Sequence, residues 1–131
     1  MDERILEKLS ADFQEVSEKP GGKGYKYVKS PYVFERMNQV FQGNWNTEVL
    51  HQSIFEDQVL VRVRVSAKDP TSDDGNMFFH EAFSSQPIAR FNYGSNEGKV
   101  TDLGNSYTAA VSKAVRQACK KWGVALSLIH I

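Results

Sequence analysis

The stretch that decides the fold is residues 106–122, which read SYTAAVSKAVRQACKKW. Placed at about 100° per residue, as in an α-helix, its side chains divide into two arcs. The apolar arc, which we expect to be buried, consists of Tyr107, Val111, Ala114, Val115, Ala118 and Trp122. The polar arc has four positive charges and no acid, and consists of Lys113, Arg116, Gln117, Lys120 and Lys121. The stretch therefore predicts an amphipathic helix with one cationic side.

Two interpretations of that cationic side fit the residues: it faces solvent, or it faces a polyanion. Like charges three and four residues apart repel by a few tenths of a kcal/mol per pair. The net charge of the chain is zero, but residues 19–36 hold five bases and one acid, and residues 99–131 hold the same numbers. If the fold brings these two basic blocks together, they form a positive groove typical of nucleic-acid binding.

The elements before this helix predict a single α+β domain over residues 1–131. The order is α-β-β-β-α, with a three-stranded antiparallel sheet packed against helices. The predicted elements are an N-terminal segment at 1–19 with a helix at 3–17, a connector at 20–24, an extended piece at 25–28, a helix at 30–41, strands at 45–55, 58–67 and 77–85, and a loop at 86–104. Ser30 is expected to cap its helix, with Pro31 at the first helical position.

Composition places the chain among ordinary globular proteins. It is 40% hydrophobic and 24% charged, and it has no run of 18 apolar residues that would span a membrane. Its one cysteine, Cys119, fits a reducing compartment, and we expect this side chain at the edge of the helix core. Residues 126–131, LSLIHI, fit a closing strand or helix extension, or alternatively peptide from sequencing-adapter read-through.

Several motifs in order carry a resemblance to a known family. They are GYKYV at 24–28, MNQVF at 37–41 followed by Gly43-Asn44-Trp45, VRV at 61–63, His80-Glu81, and AVSKAVRQACKKWG at 110–123. Over residues 24–126 the chain resembles the single-strand annealing proteins of the Rad-fifty-two superfamily, in their short phage or bacterial form. The chain departs from the family pattern in three places. Tyr32 stands where a basic residue is usual, Gln117 stands where Arg is common, and Phe83-Ser84-Ser85-Gln86 replaces the Gly-rich spacing after His-Glu.

The resemblance implies a function. Family members bind single-stranded DNA without ATP, assemble into rings or spirals, and anneal complementary strands in recombination and repair. Basic residues of their last helix line the bottom of a DNA groove, and Arg116 and Lys120 occupy such positions here. The implied setting is the cytoplasm of a bacterial or phage-infected cell. The implied partners are single-stranded DNA, further copies of the chain, and a single-strand-binding protein or an exonuclease, with no cofactor.

The chemistry of the residues fits this role. Lys and Arg hold phosphates without reading sequence, and aromatic rings stack on bases of any kind. Besides the polar arc of the last helix, the candidate DNA contacts are Lys23, Tyr25, Lys26, Lys29, Tyr32, Arg36, Arg62 and Arg64. The alternative to DNA contact is a purely structural role for these residues. In that case the tyrosines are half-buried strand residues, the lysines keep the surface soluble, and Arg62 and Arg64 lie on the solvated face of an antiparallel strand. Trp45 and Trp122 are assigned to the core.

Signals for an enzyme are poor. The sequence GGKG at 21–24 lacks the spacing of a Walker loop. Three scattered histidines without a cysteine pair argue against a zinc site. Two alternative functions remain: a module that reads the shape of double-stranded RNA or another nucleic acid, and a small hydrolase using His80 and Glu81. Alternation along a strand places the last two side chains on opposite faces, which disfavours the hydrolase.

Overall fold

The computed structural model describes residues 2–14, 16–18, 26–71 and 77–125. Three helices and five strands lie in these ranges: α1 (Glu3–Ser10), β1 (Ser17–Glu18), β2 (Lys26–Tyr27), α2 (Ser30–Phe41), β3 (Trp45–Phe55), β4 (Gln58–Lys68), β5 (Met77–Pro87) and α3 (Leu103–Lys120). β3, β4 and β5 form an antiparallel sheet in that order, and β1 pairs with β2 in a separate two-stranded sheet. The predicted α+β class with a three-stranded antiparallel sheet is confirmed.

The central strand β4 explains why one side of the sheet holds the core. Its residues alternate strictly between buried and half-buried positions, and the buried side chains include Val59, Val61, Val63 and Val65. Adjacent residues of a strand point to opposite faces, so these valines share one face. α3 packs across that face over β4 and β5, whereas β3 lies at the edge of the sheet. β3 and β4 join through a turn in which Glu56 takes a left-handed backbone conformation with φ of 54°.

α3 packs closely because its buried side is made of small side chains. Ala110, Ala114 and Ala118 are fully buried, as is Cys119. The cysteine therefore lies inside the helix–sheet core rather than at its edge, which corrects the sequence prediction. Burial raises the pKa of the Cys119 thiol to about 12, so the group stays protonated and inert at ordinary pH.

α2 has the predicted bounds, although its cap differs. Lys29 is the N-cap, Ser30 is the first helical residue, and Pro31 follows at the second position. At the other end, Gln42 adopts a left-handed conformation with φ of 54° and ends the helix. Because Lys29 rather than Ser30 is the N-cap, the Ser30 hydroxyl does not cap the helix and is available to another element.

Both tryptophans contribute to packing, as predicted. Trp122 is buried, with its ring centroid 5.9 Å from that of Phe41 in α2 and 4.7 Å from that of His80 in β5. Trp45 is half-buried 6.0 Å from Phe34 and donates its indole N–H to the side-chain oxygen of Asn38 at 2.6 Å. Trp122 thereby connects the ends of α2 and α3 to the sheet.

The first helix is shorter than predicted. The apolar period continues through Phe13, but α1 ends at Ser10, and Ala11 is already extended. The guanidinium of Arg36 in α2 lies 3.8 Å above the Phe13 ring and donates to the Leu9 and Ala11 carbonyls at 3.0 and 2.7 Å. A tertiary contact thus satisfies carbonyls that further helical turns would have used.

The remaining element boundaries move by a few residues. α3 begins at Leu103 rather than 106 because the Asp102 side chain accepts the Asn105 backbone N–H at 3.2 Å. β5 continues to Pro87, two residues past its predicted end. None of the described helices combines the length and apolarity needed to cross a membrane. The connector at 20–24 and the tail at 126–131 lie outside the described ranges, as does Tyr25 of the extended piece.

Candidate nucleic-acid interface

The two basic blocks meet where α3 crosses the start of α2. Arg116 of α3 donates a hydrogen bond from its guanidinium to the Ser30 hydroxyl at 2.8 Å, across 86 residues of sequence. The exposed Lys29 directly precedes Ser30. Burial lowers the pKa of Arg116, and the Tyr27 phenol of β2 acts in the opposite direction, which places this phenol within electrostatic reach of the guanidinium.

Two more cations of α3 belong to the same surface. The pKa of Lys120 is lowered first by burial, and then by the positive charges of Arg116 and Lys113. Among the described residues, no Asp or Glu forms an ion pair with any of these three side chains. We call the surface formed by Tyr27, Lys29, Ser30, Lys113, Arg116 and Lys120 the α2–α3 patch.

The backbone of α2 adds to the positive potential of the patch. An α-helix carries about half a positive charge at its N-terminus, and the first turn of α2 contains no acid to neutralise it. Burial lowers the pKa of both Arg116 and Lys120, and the positive charges of Arg116 and Lys113 lower the pKa of Lys120 further. A bound phosphate would relieve this repulsion, so the patch is suited to a polyanion.

Two neighbouring candidates border the patch. Lys26 is exposed in β2 beside Tyr27, and the half-buried Gln117 follows Arg116 in α3. Lys23 and Tyr25, which were predicted to contact DNA, lie outside the described residues.

Arg36 and Tyr32 lie on another side of α2. Beyond its contacts at Leu9 and Ala11, the guanidinium of Arg36 donates to the Lys8 and Asp12 carbonyls, both at 3.2 Å. Tyr32 lines a shallow pocket with Arg36, the residues that follow α1, Glu35 and Gln39. The structure therefore gives Arg36 a role in holding the end of α1 and does not bring it to Arg116, contrary to the predicted groove.

This contact predicts a stability defect for Arg36→Ala. Loss of charge-assisted hydrogen bonds and of the Phe13 contact should lower the free energy of unfolding by about 1–3 kcal/mol, measured by urea denaturation. Arg36→Lys should fail to restore it, because an ammonium cannot match the planar guanidinium fork. Unchanged stability together with a weaker salt dependence of DNA binding would instead assign Arg36 to phosphate contact.

Arg62 and Arg64 lie on the face of the sheet opposite α3. Arg64 donates to the Glu81 carboxylate at 3.0 Å and lies 4.6 Å from the Phe79 ring centroid. Arg62 lies 3.7 Å from the other Glu81 oxygen and 5.9 Å from the Phe83 centroid. Both arginines thus have an acid partner, unlike the cations of the α2–α3 patch, and they are separated from that patch by the sheet and α3.

Lys121 also leaves the predicted cationic side. α3 ends at Lys120, and the Lys121 ammonium donates to the backbone carbonyl of Glu81 in β5. A lysine placed against an outer strand hinders pairing of that strand with another chain.

The His80 side chain lies on the helix side against Trp122, whereas the Glu81 carboxylate binds Arg64 on the other face. The predicted separation of His80 and Glu81 is confirmed, so the pair cannot act together on one atom.

His80 predicts a pH-dependent loss of stability. Burial lowers the pKa of its imidazole, and the charge of Lys121 lowers it further. The unfolded state therefore binds more protons, so this contribution is complete above about pH 6.5 and is lost as the pH falls towards the folded-state pKa. Urea unfolding between about pH 7 and 5 should show the decline, and His80→Phe, which keeps a ring against Trp122, should remove it.

The exposed His51 of β3 provides the control for this measurement. The variant His51→Gln removes a histidine elsewhere in the sheet and leaves His80 and Trp122 in place, so it is measured beside His80→Phe. The assignment to His80 is wrong if His80→Phe leaves the slope of stability against pH unchanged.

Sequence reasoning missed one contributor to the patch. Ser30 was expected to cap its helix, yet its hydroxyl accepts a hydrogen bond from Arg116. No local pattern signals this contact, because the partner is far away in the sequence. No protein-family model matches the chain, and no curated protein matches it. The functional interpretation therefore depends on the geometry of the patch.

Proposed function

We propose that the protein binds single-stranded DNA along the α2–α3 patch and anneals complementary strands without ATP. The observation that carries this proposal is the hydrogen bond from Arg116 to Ser30, which joins two basic blocks at one surface. Arg116, Lys113 and Lys120 have no ion-pair partner among the described acids, so their charge is free to attract phosphates. Such contacts hold a backbone in place without reading its sequence.

The physical chemistry of annealing explains why such a surface suffices. Base pairing releases free energy, about 1.4 kcal/mol per stacked base-pair step on average, so no nucleotide hydrolysis is needed to drive the reaction. The obstacle is repulsion between two phosphate backbones as they approach. A protein that neutralises the phosphates of one strand and leaves its base edges free lowers that obstacle. This is the activity implied by the resemblance to the Rad-fifty-two superfamily, acting in recombination and repair in the bacterial or phage-infected cytoplasm.

Assembly of several copies is part of the proposal. Lys113 and Lys120 are seven residues apart on α3, which corresponds to about 10 Å along the helix axis, so one copy holds only a few nucleotides. A ring or spiral would join patches into a longer track. The outer strand β3 supports a lateral contact, because the side chains of Val49 and Ile54 are 48% and 51% exposed. A single-strand-binding protein or an exonuclease would supply the single strands or transfer them to this protein.

A fluorescence assay tests the proposed activity. Two complementary oligonucleotides, one carrying a fluorophore and the other a quencher, are mixed with the protein in the absence of ATP. We expect faster quenching than in buffer alone, and competition by unlabelled single-stranded DNA. Preferential competition by duplex RNA, together with no acceleration of quenching, would contradict the proposal and favour the shape-reading alternative.

A further inference from the structure

The sheet has a second face that no described element covers. We call this surface the open face. It is formed by the side chains of β3, β4 and β5 that point away from α3, and it carries both apolar and charged groups. Its outward members are Asn46, Glu48, His51, Ser53 and Phe55 of β3, Gln58, Leu60, Arg62, Arg64, Ser66 and Lys68 of β4, and Met77, Phe79, Glu81, Phe83, Ser85 and Pro87 of β5. Phe79 and Phe83 are 54% and 59% exposed although each stands in the middle of a strand.

An apolar row of this kind is unusual on a sheet face that meets water. Antiparallel sheets with one solvated face normally place polar side chains there. β5 instead presents Met77, Phe79 and Phe83 outward, and all three are at least half exposed. Three strands of eleven residues give a face of roughly 14 by 36 Å, large enough for a protein–protein contact.

The charges on this face are self-complementary. Glu81 is flanked by Phe79 and Phe83 along β5 and faces Arg62 and Arg64 of β4, so a compact patch holds acid and base side by side. In a twofold contact, the acid of each copy can reach the arginines of the other. Glu81 already pairs with both arginines in its own copy, so the centre of this face carries balanced charges rather than the continuous cationic track that a phosphate backbone requires.

We infer that the open face is a contact between two copies of this chain, stacked sheet to sheet with the phenylalanine rows interdigitated. Two sheets packed in this way lie about 10 Å apart and bury both inner faces. The contact rests on the homo-oligomer of the proposed function and adds to the lateral contact at β3 a second surface, which pairs two copies. Because α3 lies on the other side of the sheet, the α2–α3 patch stays accessible in the stacked pair.

Light scattering at a series of protein concentrations tests the contact. Phe79→Ser combined with Phe83→Ser should lower the molar mass of the assembly at a given concentration and raise the midpoint concentration for association at least tenfold. The control is Tyr93→Ser, which changes a 72% exposed aromatic residue outside this face and should leave the mass unchanged. Circular dichroism of each variant establishes that it is folded.

The alternative outcomes are distinguishable. A double variant that keeps the wild-type mass overturns the contact, and so does a wild-type protein that is monomeric at every concentration. If the double variant loses DNA affinity while its mass is unchanged, the face binds nucleic acid and the inference is wrong. Arg116→Ala with Lys120→Ala should lower DNA affinity and leave the molar mass of the assembly unchanged. The two measurements therefore test DNA binding by the α2–α3 patch and the contact between copies independently.

Thiol cross-linking gives a second measurement that does not weaken the face. The chain has one cysteine, Cys119, and it is buried, so an introduced thiol reacts alone. Ser66→Cys places a thiol on the open face, and a bis-maleimide spanning about 10 Å should link two copies. Thr108→Cys, exposed on α3, is the control and should yield little linked product. Equal yields from the two positions would contradict stacking through the open face.

Discussion

Replacing Arg116 and Lys120 together with alanine should weaken binding to single-stranded DNA by about tenfold for each charge removed. The plot of log binding constant against log salt concentration should become less steep by about 1.4, because each lost phosphate contact on a single strand contributes about 0.7. The loss should be equal for oligonucleotides of different sequence, since phosphate contacts carry no base information. Fluorescence anisotropy titrations at four salt concentrations measure both quantities.

A variant of equal charge change provides the control. Arg4→Ala with Lys99→Ala also removes two exposed positive charges, but from α1 and from the segment that precedes α3. Its salt dependence should stay close to that of the wild type. An equal effect of the two double variants would mean that net charge, rather than the α2–α3 patch, controls binding. A changed sequence preference in the patch variant would show that the phosphate assignment is wrong.

Phe41→Ala should be the most destabilising substitution considered, with a loss of about 3–5 kcal/mol in the free energy of unfolding. The Phe41 side chain is fully buried and packs against Trp122, which in turn contacts His80 of β5. Its removal leaves a cavity where α2, the end of α3 and the sheet meet. Because typical domains are stable by only 5–15 kcal/mol, urea denaturation should show a much lower midpoint.

Tyr93→Ala is the matched control for that measurement. This aromatic side chain lies in the segment after β5, outside the open face, and is 72% exposed, so its truncation should change stability by less than about 0.5 kcal/mol. Similar losses from the two variants would contradict the description of the core. A Phe41→Ala variant that also loses DNA affinity in proportion to its unfolded fraction would be consistent with a role confined to packing.

The sequence predicts elements well where local signals agree. α2 begins with Ser-Pro and ends before a residue pair that takes left-handed conformations, and its bounds match the prediction. β4 follows from alternation, and its pairing with β3 follows from a two-residue turn at Glu56-Asp57. In each case, the apolar period and the turn residues indicate the same boundary, so no distant contact is needed to choose between alternatives.

Distant contacts explain the errors in the first helix. The apolar period through Phe13 and Val16 continues the helical pattern. The Arg36 guanidinium, however, donates hydrogen bonds to carbonyls at the end of α1 and lies above the Phe13 ring. A residue 27 positions from Leu9 therefore ends the helix. Helical periodicity is a local property and carries no information about this partner.

The same limit applies to the candidate site. The groove required the two basic blocks to meet, and the Arg116–Ser30 hydrogen bond brings α3 to the start of α2 within the first block. Helical projection cannot show which cations have other partners. Arg36 binds carbonyls of α1 and the segment after it, Arg62 and Arg64 pair with Glu81, and Lys121 binds the β5 backbone. Four predicted contacts therefore have partners within the fold, and Arg116, Lys120 and Lys113 remain as the coupled cationic group.

Hydrogen–deuterium exchange with and without an oligothymidylate tests most directly whether the α2–α3 patch holds single-stranded DNA. We expect slower exchange in peptides covering residues 26–33 and 113–120 when DNA is bound, and no such change in the Arg116→Ala, Lys120→Ala variant. Peptides from α1 and from residues 88–102 should exchange at the same rate in both states. Protection confined to those control segments, or to the open face of the sheet, would contradict the assignment of DNA binding to the patch.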